Sequence, residues 1–547
     1  MKHPIITDIF VKGLKKLGIS EIDTLQFETP NNTEHGDLST NIAMKLAKQL
    51  KKKPIDIANE LIDLLEYDKT LIDSINAVNP GFINIKLTKF YLISNFIKVV
   101  DKGTEIGRLN LGNKKKVNIE YVSANPTGLL HLGHGRNAAI GDTIANIFDW
   151  CGFDVTREYY FNNAGNQMNN LAKSIFARYR QLLGDEDFPF PEDGYHGEYI
   201  KEIAQNIVNE HKNLFKEETA DNLAQLRKIG EKYCFDKIIY TMKQMDVNHD
   251  VYFNEDTLYS SGDIQKAIDA LKEKELVYEK EGATWLAYSK LGMKDDRVIV
   301  KSSGEPTYRL PDIAYHLNKL NRGFDTIIDV LGSDHIASAP DVIKAVDALG
   351  YDSNKIKILF YQFVTLTEAG EQIKMSKRSG KSYTLDELLD EVGADVVRFF
   401  LQMRASTTHL EFDLTLAKEQ SDKNPVFYLQ YAHARICSII ANAKEKGIAI
   451  SNSPDFSLLN SAEEIALIKE ILNFEDTIEL ASNKLETNII TEYLRGLATA
   501  FHQFYHNCRI IGSEEAILQA RINLAITTKN ILFNGLKILG ISAPEKM

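Results

Sequence analysis

The sequence predicts an α/β protein with a parallel, doubly wound sheet at its centre, an α+β unit before it and an all-helical bundle after it. Three observations carry this. Between about residues 111 and 420, strand-like runs alternate with helical patterns, as in a sheet built from βαβ units. From about residue 421 only helical patterns remain. Residues 1 to about 110 mix two helical stretches with an alternating run and end in a polar, glycine-containing segment. A chain of 547 residues is also too long for one core.

Taken in order, "LSTNIAMKLAKQL" (38–50) and "PIDIANELIDLL" (54–65) have helical spacing, and Pro54 suits the first position of a helix. "GFINIKL" (81–87) alternates as a strand does. "DKGTEIGRLNLGNKKK" (101–116) reads as a linker. The central block offers strands at "VNIEYV" (117–122), "DVTREYYF" (154–161), "TIIDVLG" (326–332) and "KILFYQFV" (357–364). Its helices include "GRNAAIGDTIANIFDWCG" and "APDVIKAVDALG", and a charged, mostly helical insertion occupies about 170–265. The tail gives four helical stretches, among them "FYLQYAHARICSIIANAKEKG" and "AEEIALIKEILNFEDTIELAS".

Bulk properties exclude several classes. Hydrophobic residues make up 44% and charged residues 26%, ordinary for a globular protein. No stretch approaches the ~18–20 apolar residues of a membrane span. The start of the chain lacks the apolar core of a secretory signal. Four scattered cysteines make neither a zinc site nor a disulfide framework, which fits a reducing cytoplasm. The net charge of −12 does not advertise a nucleic-acid binder, yet a positive groove can exist on an acidic protein.

Two motifs carry chemistry. "NPTGLLHLGHGR" (125–136) follows a strand and opens a helix. Unpaired N–H groups at a helix start receive phosphate, and Gly128 and Gly133 let a ligand approach the backbone. His131 and His134, three apart, present their rings on one side, where imidazole N–H groups can meet charge developing on a leaving pyrophosphate. Metal ligation and a packed capping pair are the alternatives; no further zinc ligand and no GxxxxGK[ST] loop accompany them. The second motif, "EQIKMSKRSGKSYTLDELL" (371–389), places Lys374, Lys377 and Arg378 between a strand and a helix. It reads either as a solvated basic turn or as a clamp for a triphosphate.

"HLGH" followed about 240 residues later by "KMSKR" resembles the HIGH and KMSKS pair of class I aminoacyl-tRNA synthetases. "SANPTGLLHLGHGRNAAIGD", "EYYFNNAGNQM", "YRLPDIAYH", "NPVFYLQYAHARI" and the ending "SAPEKM" resemble the arginyl-tRNA synthetases in particular. Asn163 departs from the Asp expected there. The N-terminal "HGDLSTNIAMKLAK" is similar to that family's additional domain, which contacts the tRNA elbow, and the tail to its anticodon-binding domain. The resemblance implies a Rossmann-like catalytic domain. It implies arginine, ATP with Mg²⁺ and tRNA(Arg) as reactants, tRNA bound before activation, no zinc, no membrane, a monomer and a cytoplasmic location.

It also implies site roles. Glu120, Tyr308 and Asp312 would read the guanidinium, which asks for carboxylates; Tyr308 and Asp312 stand one helical turn apart. An exposed strand acid and a helix-dipole acid are the bland alternatives for Glu120 and Asp312. Ser123 and Asn125 would hold the backbone end of arginine and the adenylate. Gly332, Asp334 and His335, in "LGSDHIASAP", would meet the ribose, with a helix cap by Ser333 or Asp334 as alternative. His131, His134, Lys374, Met375, Ser376 and Lys377 would surround the phosphates. Tyr428, Tyr431 and Arg435 either stack anticodon-loop bases or fill the bundle core. A small cofactor-building adenylyltransferase, a non-catalytic tRNA-binding paralogue and a synthetase for another amino acid are the rival functions.

Overall fold

The computed structural model describes residues 4–20, 25–28, 30, 32–163, 165–373 and 383–547. The N-terminal unit holds α1 (Pro4–Lys16), β1 (Leu38–Thr40), α2 (Ile42–Leu50), α3 (Pro54–Leu64), β2 (Ile72–Val78), β3 (Phe82–Leu87) and α4 (Lys89–Val100). Its three strands form an antiparallel sheet in the order β1-β3-β2. The run read as one helix over 38–50 is therefore a short strand followed by a helix: Leu38, Ser39 and Thr40 pair with β3 before Asn41 starts the turn. β2 escaped the sequence reading because Asp73, Ser74 and Asn76 look like turn residues, although Ser74 and Asn76 sit opposite β3 and Asp73 lies at a register shift.

The central block contains β4 (Lys116–Glu120), α5 (Leu132–Trp150), β5 (Asp154–Phe161), α6 (Asn166–Leu182), α7 (Glu198–His211), α8 (Ala220–Gln244), β6 (Val251–Asn254), α9 (Asp256–Ser260) and α10 (Asp263–Glu273). It continues with β7 (Val277–Lys280), β8 (Ala283–Leu286), β9 (Arg297–Val300), α11 (Arg309–Asn321), β10 (Thr326–Gly332), α12 (Ala339–Ala348) and β11 (Ile356–Tyr361). The parallel sheet has the order β11-β10-β4-β5-β6 among the described residues. The chain starts at β4, runs outward to β6, and returns to β10 on the other flank of β4. The topological switch point thus lies between β4 and β10, where crevices form at the carboxyl ends of such strands.

The predicted insertion at about 170–265 ends earlier as a helical excursion. α6, α7 and α8 pack on their own small core around Leu171, Ile175, Ile203 and Leu226, and β6 then rejoins the sheet. The antiparallel trio β7-β8-β9 was not foreseen. The strand read over 357–364 divides, because β12 (Val364–Glu368) leaves the main sheet to pair with β13 (Glu371–Gln372) and β14 (Leu410–Asp413).

α13 (Leu385–Val392), α14 (Ala394–Gln402) and α15 (Leu414–Ala417) lead into the bundle α16 (Pro425–Glu445), α17 (Ala462–Leu472), α18 (Phe474–Lys484), α19 (Asn488–Asn507) and α20 (Glu515–Ile538). α17 and α18 replace the single helix read over this stretch; Asn473 caps one and starts the next. The stretch read as a linker is packed down: Asn534 on α20 donates to the carbonyls of Thr104 and Ile106, at 3.0 and 2.8 Å. The N-terminal unit rests on the bundle through the Lys469–Asp37 and Lys102–Glu475 pairs.

One buried arginine joins the bundle to the central block. Arg398 on α14 donates to Asp142 of α5 at 2.6 Å, to the Met245 carbonyl after α8 at 2.8 Å, and to the Leu539 carbonyl after α20 at 2.9 Å. Arg398→Met leaves Asp142 buried without that partner, a loss of about 3–5 kcal/mol. A fall in unfolding temperature measured by differential scanning fluorimetry is the expected result; an unchanged one contradicts the role of this joint.

Candidate active site

The site begins where β4 ends. Past Glu120 the chain turns with positive φ at two non-glycine residues, Val122 (+68°) and Ser123 (+41°). Left-handed backbone costs an L-residue roughly 1–2 kcal/mol, more awkwardly for a β-branched one. Neighbouring groups hold it there. Val122 N–H donates to Asn137 Oδ1 at 2.8 Å, and Asn137 Nδ2 donates to the Val330 carbonyl at 2.9 Å. Ser123 Oγ donates to Glu120 Oε1 and accepts from the Tyr160 N–H, both at 3.0 Å. The Tyr159 phenol donates to the Ala124 carbonyl at 2.7 Å, and Asn125 Nδ2 to Gln167 Oε1 at 2.8 Å. Gly128 lies against Tyr199, whose phenol oxygen would be 3.3 Å from a Cβ placed there.

The segment ends in the two histidines. His131 caps α5 and His134 is its third residue. Gly133 N–H donates to His131 Nδ1 at 3.1 Å, and His131 N–H to His134 Nδ1 at 3.3 Å. With Nδ1 accepting in both, the neutral rings carry their protons on Nε2. The rings stack with centroids 3.8 Å apart. The capping reading and the ligand reading are thus compatible, since capping fixes the tautomer that leaves Nε2–H as a donor. The lysines Lys374 and Lys377, with Met375 and Ser376, lie outside the described residues. The flank that follows them is tied to the histidines: Thr384 bridges to His131, and Leu385 N–H donates to the Leu130 carbonyl at 2.9 Å.

Beneath this segment lies a row of acids. Asp329, Glu120 and Glu158 are in register on the adjacent strands β10, β4 and β5, and all three are buried. α11 covers them with cations. Lys319, fully buried, pairs with Glu120 and, at 2.6 Å, with Asp329. Arg322 grips Glu158 with two bonds of 2.7 Å, and Tyr315 donates to Glu158 at 2.6 Å. His316 Nε2 meets Asp329 at 2.8 Å. Burial alone would raise the Asp329 carboxyl; the Lys319 ammonium and His316 hold it well below the usual range. The same competition, won by Arg322 and Lys319, lowers Glu158.

Asp312, one turn before His316, differs. Among the described residues no lysine or arginine pairs with it. Burial pushes its carboxyl up to about 7; His316 opposes the rise, and Glu120, Glu255 and Asp329 add to it. Glu255, after β6, is buried; burial raises it, and Tyr160 donates to it at 2.9 Å. Tyr308 stands one turn before Asp312, its carbonyl accepting from the Asp312 N–H at 3.2 Å, and is 79% exposed. Gly332 ends β10, and Asp334 and His335 follow in an exposed single turn. They cap nothing: the helix that follows starts at Ala339 with Ser338 before it. On α16, Tyr428, Tyr431 and Arg435 are half-buried against α19, Tyr428 bonded to Thr499 at 3.2 Å and Arg435 lying over the rings of Tyr431 and Tyr505. Among the described residues no group of three or more His, Cys, Asp or Glu side chains is placed to hold a metal ion.

Three family models match the chain: "Arginyl tRNA synthetase N terminal domain" over residues 5–87, "tRNA synthetases class I (R), catalytic domain" over 97–402, and "DALR anticodon binding domain" over 429–547. The arginine–tRNA ligase of Salinibacter ruber is 46% identical over 540 residues, covering 96% of each chain. The chain belongs to the arginyl-tRNA synthetase family. The Bacillus subtilis arginine–tRNA ligase is 44% identical, over all of this chain and 98% of its own. The structure of Thermus thermophilus arginyl-tRNA synthetase superposes over the whole of both chains with a TM-score of 0.80 at 22% identity, a likeness of fold.

Sequence reading of this synthetase missed the acid row and its cover, along with Asn137, Tyr159, Gln167 and Glu255. The spacing of Tyr315, Lys319 and Arg322 along one helical face was the available signal for the cover. One consequence concerns Gly133, where a Cβ would lie 2.9 Å from His131 Cε1. Gly133→Ala improves helix propensity by about 1 kcal/mol yet forces the His131 ring to move. The expected result is arginine-dependent ATP–pyrophosphate exchange slowed at least about tenfold with no loss of thermal stability. An unchanged rate contradicts the placement of His131.

Proposed function

We propose that this arginine–tRNA ligase recognises its amino acid by charge at Asp312 and forms arginyl-adenylate along the Glu120–His134 segment. The observation that carries this reading is the acid balance. The row Asp329–Glu120–Glu158 is matched by Lys319, Arg322 and His316, while Asp312 is left without a lysine or arginine partner among the described residues. A planar, always-charged guanidinium supplies what Asp312 lacks, with Glu255 behind it and Tyr308 at the rim. Glu120 holds Ser123 by its hydroxyl, and Ser123 and Asn125 take the backbone end of arginine.

ATP lies across the switch point, with its ribose at Gly332, Asp334 and His335 and its phosphates at Gly128, Gly133 and the start of α5. The arginine carboxylate attacks the α-phosphorus; the bond to the β-phosphate oxygen breaks and pyrophosphate leaves. Nε2–H of His131 and of His134 meets the charge that grows on the departing oxygens. Mg²⁺ arrives with ATP, bound mainly by its phosphates. Lys374 and Lys377, with Met375 and Ser376, are assigned to the same phosphates by family resemblance. A terminal ribose hydroxyl of tRNA(Arg) then attacks the adenylate carbonyl, and AMP leaves. Tyr428, Tyr431 and Arg435 offer stacking faces to the anticodon loop, and the chain works as a cytoplasmic monomer.

The test is charging of total tRNA with each labelled amino acid, wild type beside Asp312→Asn. Wild type is expected to charge arginine in an ATP-dependent reaction. Asp312→Asn is expected to raise the arginine KM at least about a hundredfold, the scale of about 3 kcal/mol for a charge pair that loses one partner. A rise below about tenfold removes Asp312 from substrate reading.

A further inference from the structure

The helices α6 to α8 keep a core of their own, yet they reach back to the Asn125–Gly128 turn at two points. One is Gln167 on α6, which accepts from Asn125. The other is Tyr199, the second residue of α7, whose phenol donates to the Thr127 carbonyl at 2.6 Å. The site around Tyr199 is shaped for this bond. A Cβ on Gly197 would lie 2.3 Å from its ring, so glycine there lets the ring fold back over the helix start. A Cβ on Gly128 would stand 3.3 Å from its oxygen, so glycine there lets the turn come close. Burial raises the Tyr199 phenol further above its ordinary value, so it stays a donor throughout the neutral range.

A trans peptide points its C=O and N–H in opposite directions. A hydrogen bond that fixes the Thr127 carbonyl toward the helical insertion therefore fixes the Gly128 N–H away from it. Without that bond, a peptide next to glycine rotates at little cost. We propose that Tyr199 is a positioning residue for adenylate formation: it sets the orientation of the Thr127–Gly128 peptide and so aims the Gly128 N–H at the nucleotide's phosphates. The bond also makes the insertion, whose own core holds α7, part of the active-site frame. The inference rests on the reading of the 125–134 segment as the nucleotide site.

The experiment compares wild type, Tyr199→Phe and His134→Ala in arginine-dependent ATP–pyrophosphate exchange in the presence of tRNA, with unfolding temperature and tRNA affinity measured alongside. Tyr199→Phe keeps the ring between its two glycines and removes one oxygen. The expected result is a kcat at least about tenfold lower, with the arginine KM, tRNA affinity and unfolding temperature close to wild type, because the preset donor acts on the phosphates and not on Asp312. A kcat within about twofold of wild type overturns the proposal. So does a fall in kcat matched by parallel losses of stability and of arginine and tRNA binding, the pattern of a structural residue. If His134→Ala is as active as wild type, the reading of the whole segment fails, and this inference with it. If only Tyr199→Phe is unaffected, the inference alone fails.

Discussion

Three carboxylates in register across adjacent strands cannot be buried together unless cations come to meet them. Asp329, Glu120 and Glu158 stand in that relation, within β10 and β5 and at the end of β4. The face of α11 that carries Tyr315, His316, Lys319 and Arg322 is the answer the sequence supplies. An unpaired charge in such a place costs several kcal/mol, so the position of α11 over the sheet is tightly constrained. Asp312, one turn earlier on that helix, forms no ion pair with Lys319 or Arg322 among the described residues, and His316 offsets only part of what burial does to it. On the proposed reading, a carboxylate there without a lysine or arginine partner favours a cationic side chain.

The second constraint is conformational. Val122 and Ser123 bend β4 away from the sheet with backbone geometry that neither residue prefers. Bonds from α5, β5, α6 and α7 hold the bend and the turn after it. Ser123 is common to both constraints, since its hydroxyl bonds to a member of the acid row. The proposed amino-acid end and the histidine pair are therefore two ends of one braced segment. Such bracing suits a reaction that gains from donors already aimed before charge develops.

Much of this was legible in the sequence, and the reasons for what was not are physical. The β4–α5 motif, the strands β5 and β10 and the helical tail follow from local periodicity and glycine placement, which a single segment reports. Glu120 and Asp312 could be named as acids near a site, but their difference depends on Lys319, 199 residues from Glu120 in sequence. Sequence spacing set Tyr308 beside Asp312, one turn apart. The structure keeps that spacing, the Asp312 N–H donating to the Tyr308 carbonyl, but Tyr308 is exposed where Asp312 is half-buried. β2 was hidden by polar residues on a partly open strand, and β6 by being only four residues long within a mostly helical stretch. Tyr199 gave no signal, because its role depends on a turn at Thr127 and Gly128, far from it in sequence.

The central claim is that Asp312 awaits its counter-charge in the free protein. It is tested most directly by calorimetric titration of arginine in buffers of different ionisation enthalpy. The carboxyl lies near 7 in the free protein, raised by burial, and a guanidinium beside it favours the ionised form. Below that value binding must expel the proton; well above it the carboxylate is already formed. The account predicts release of close to one proton per arginine at about pH 6, falling toward zero by about pH 8.5, and loss of the linkage in Asp312→Asn. No release at the lower pH, or release that persists in Asp312→Asn, contradicts it.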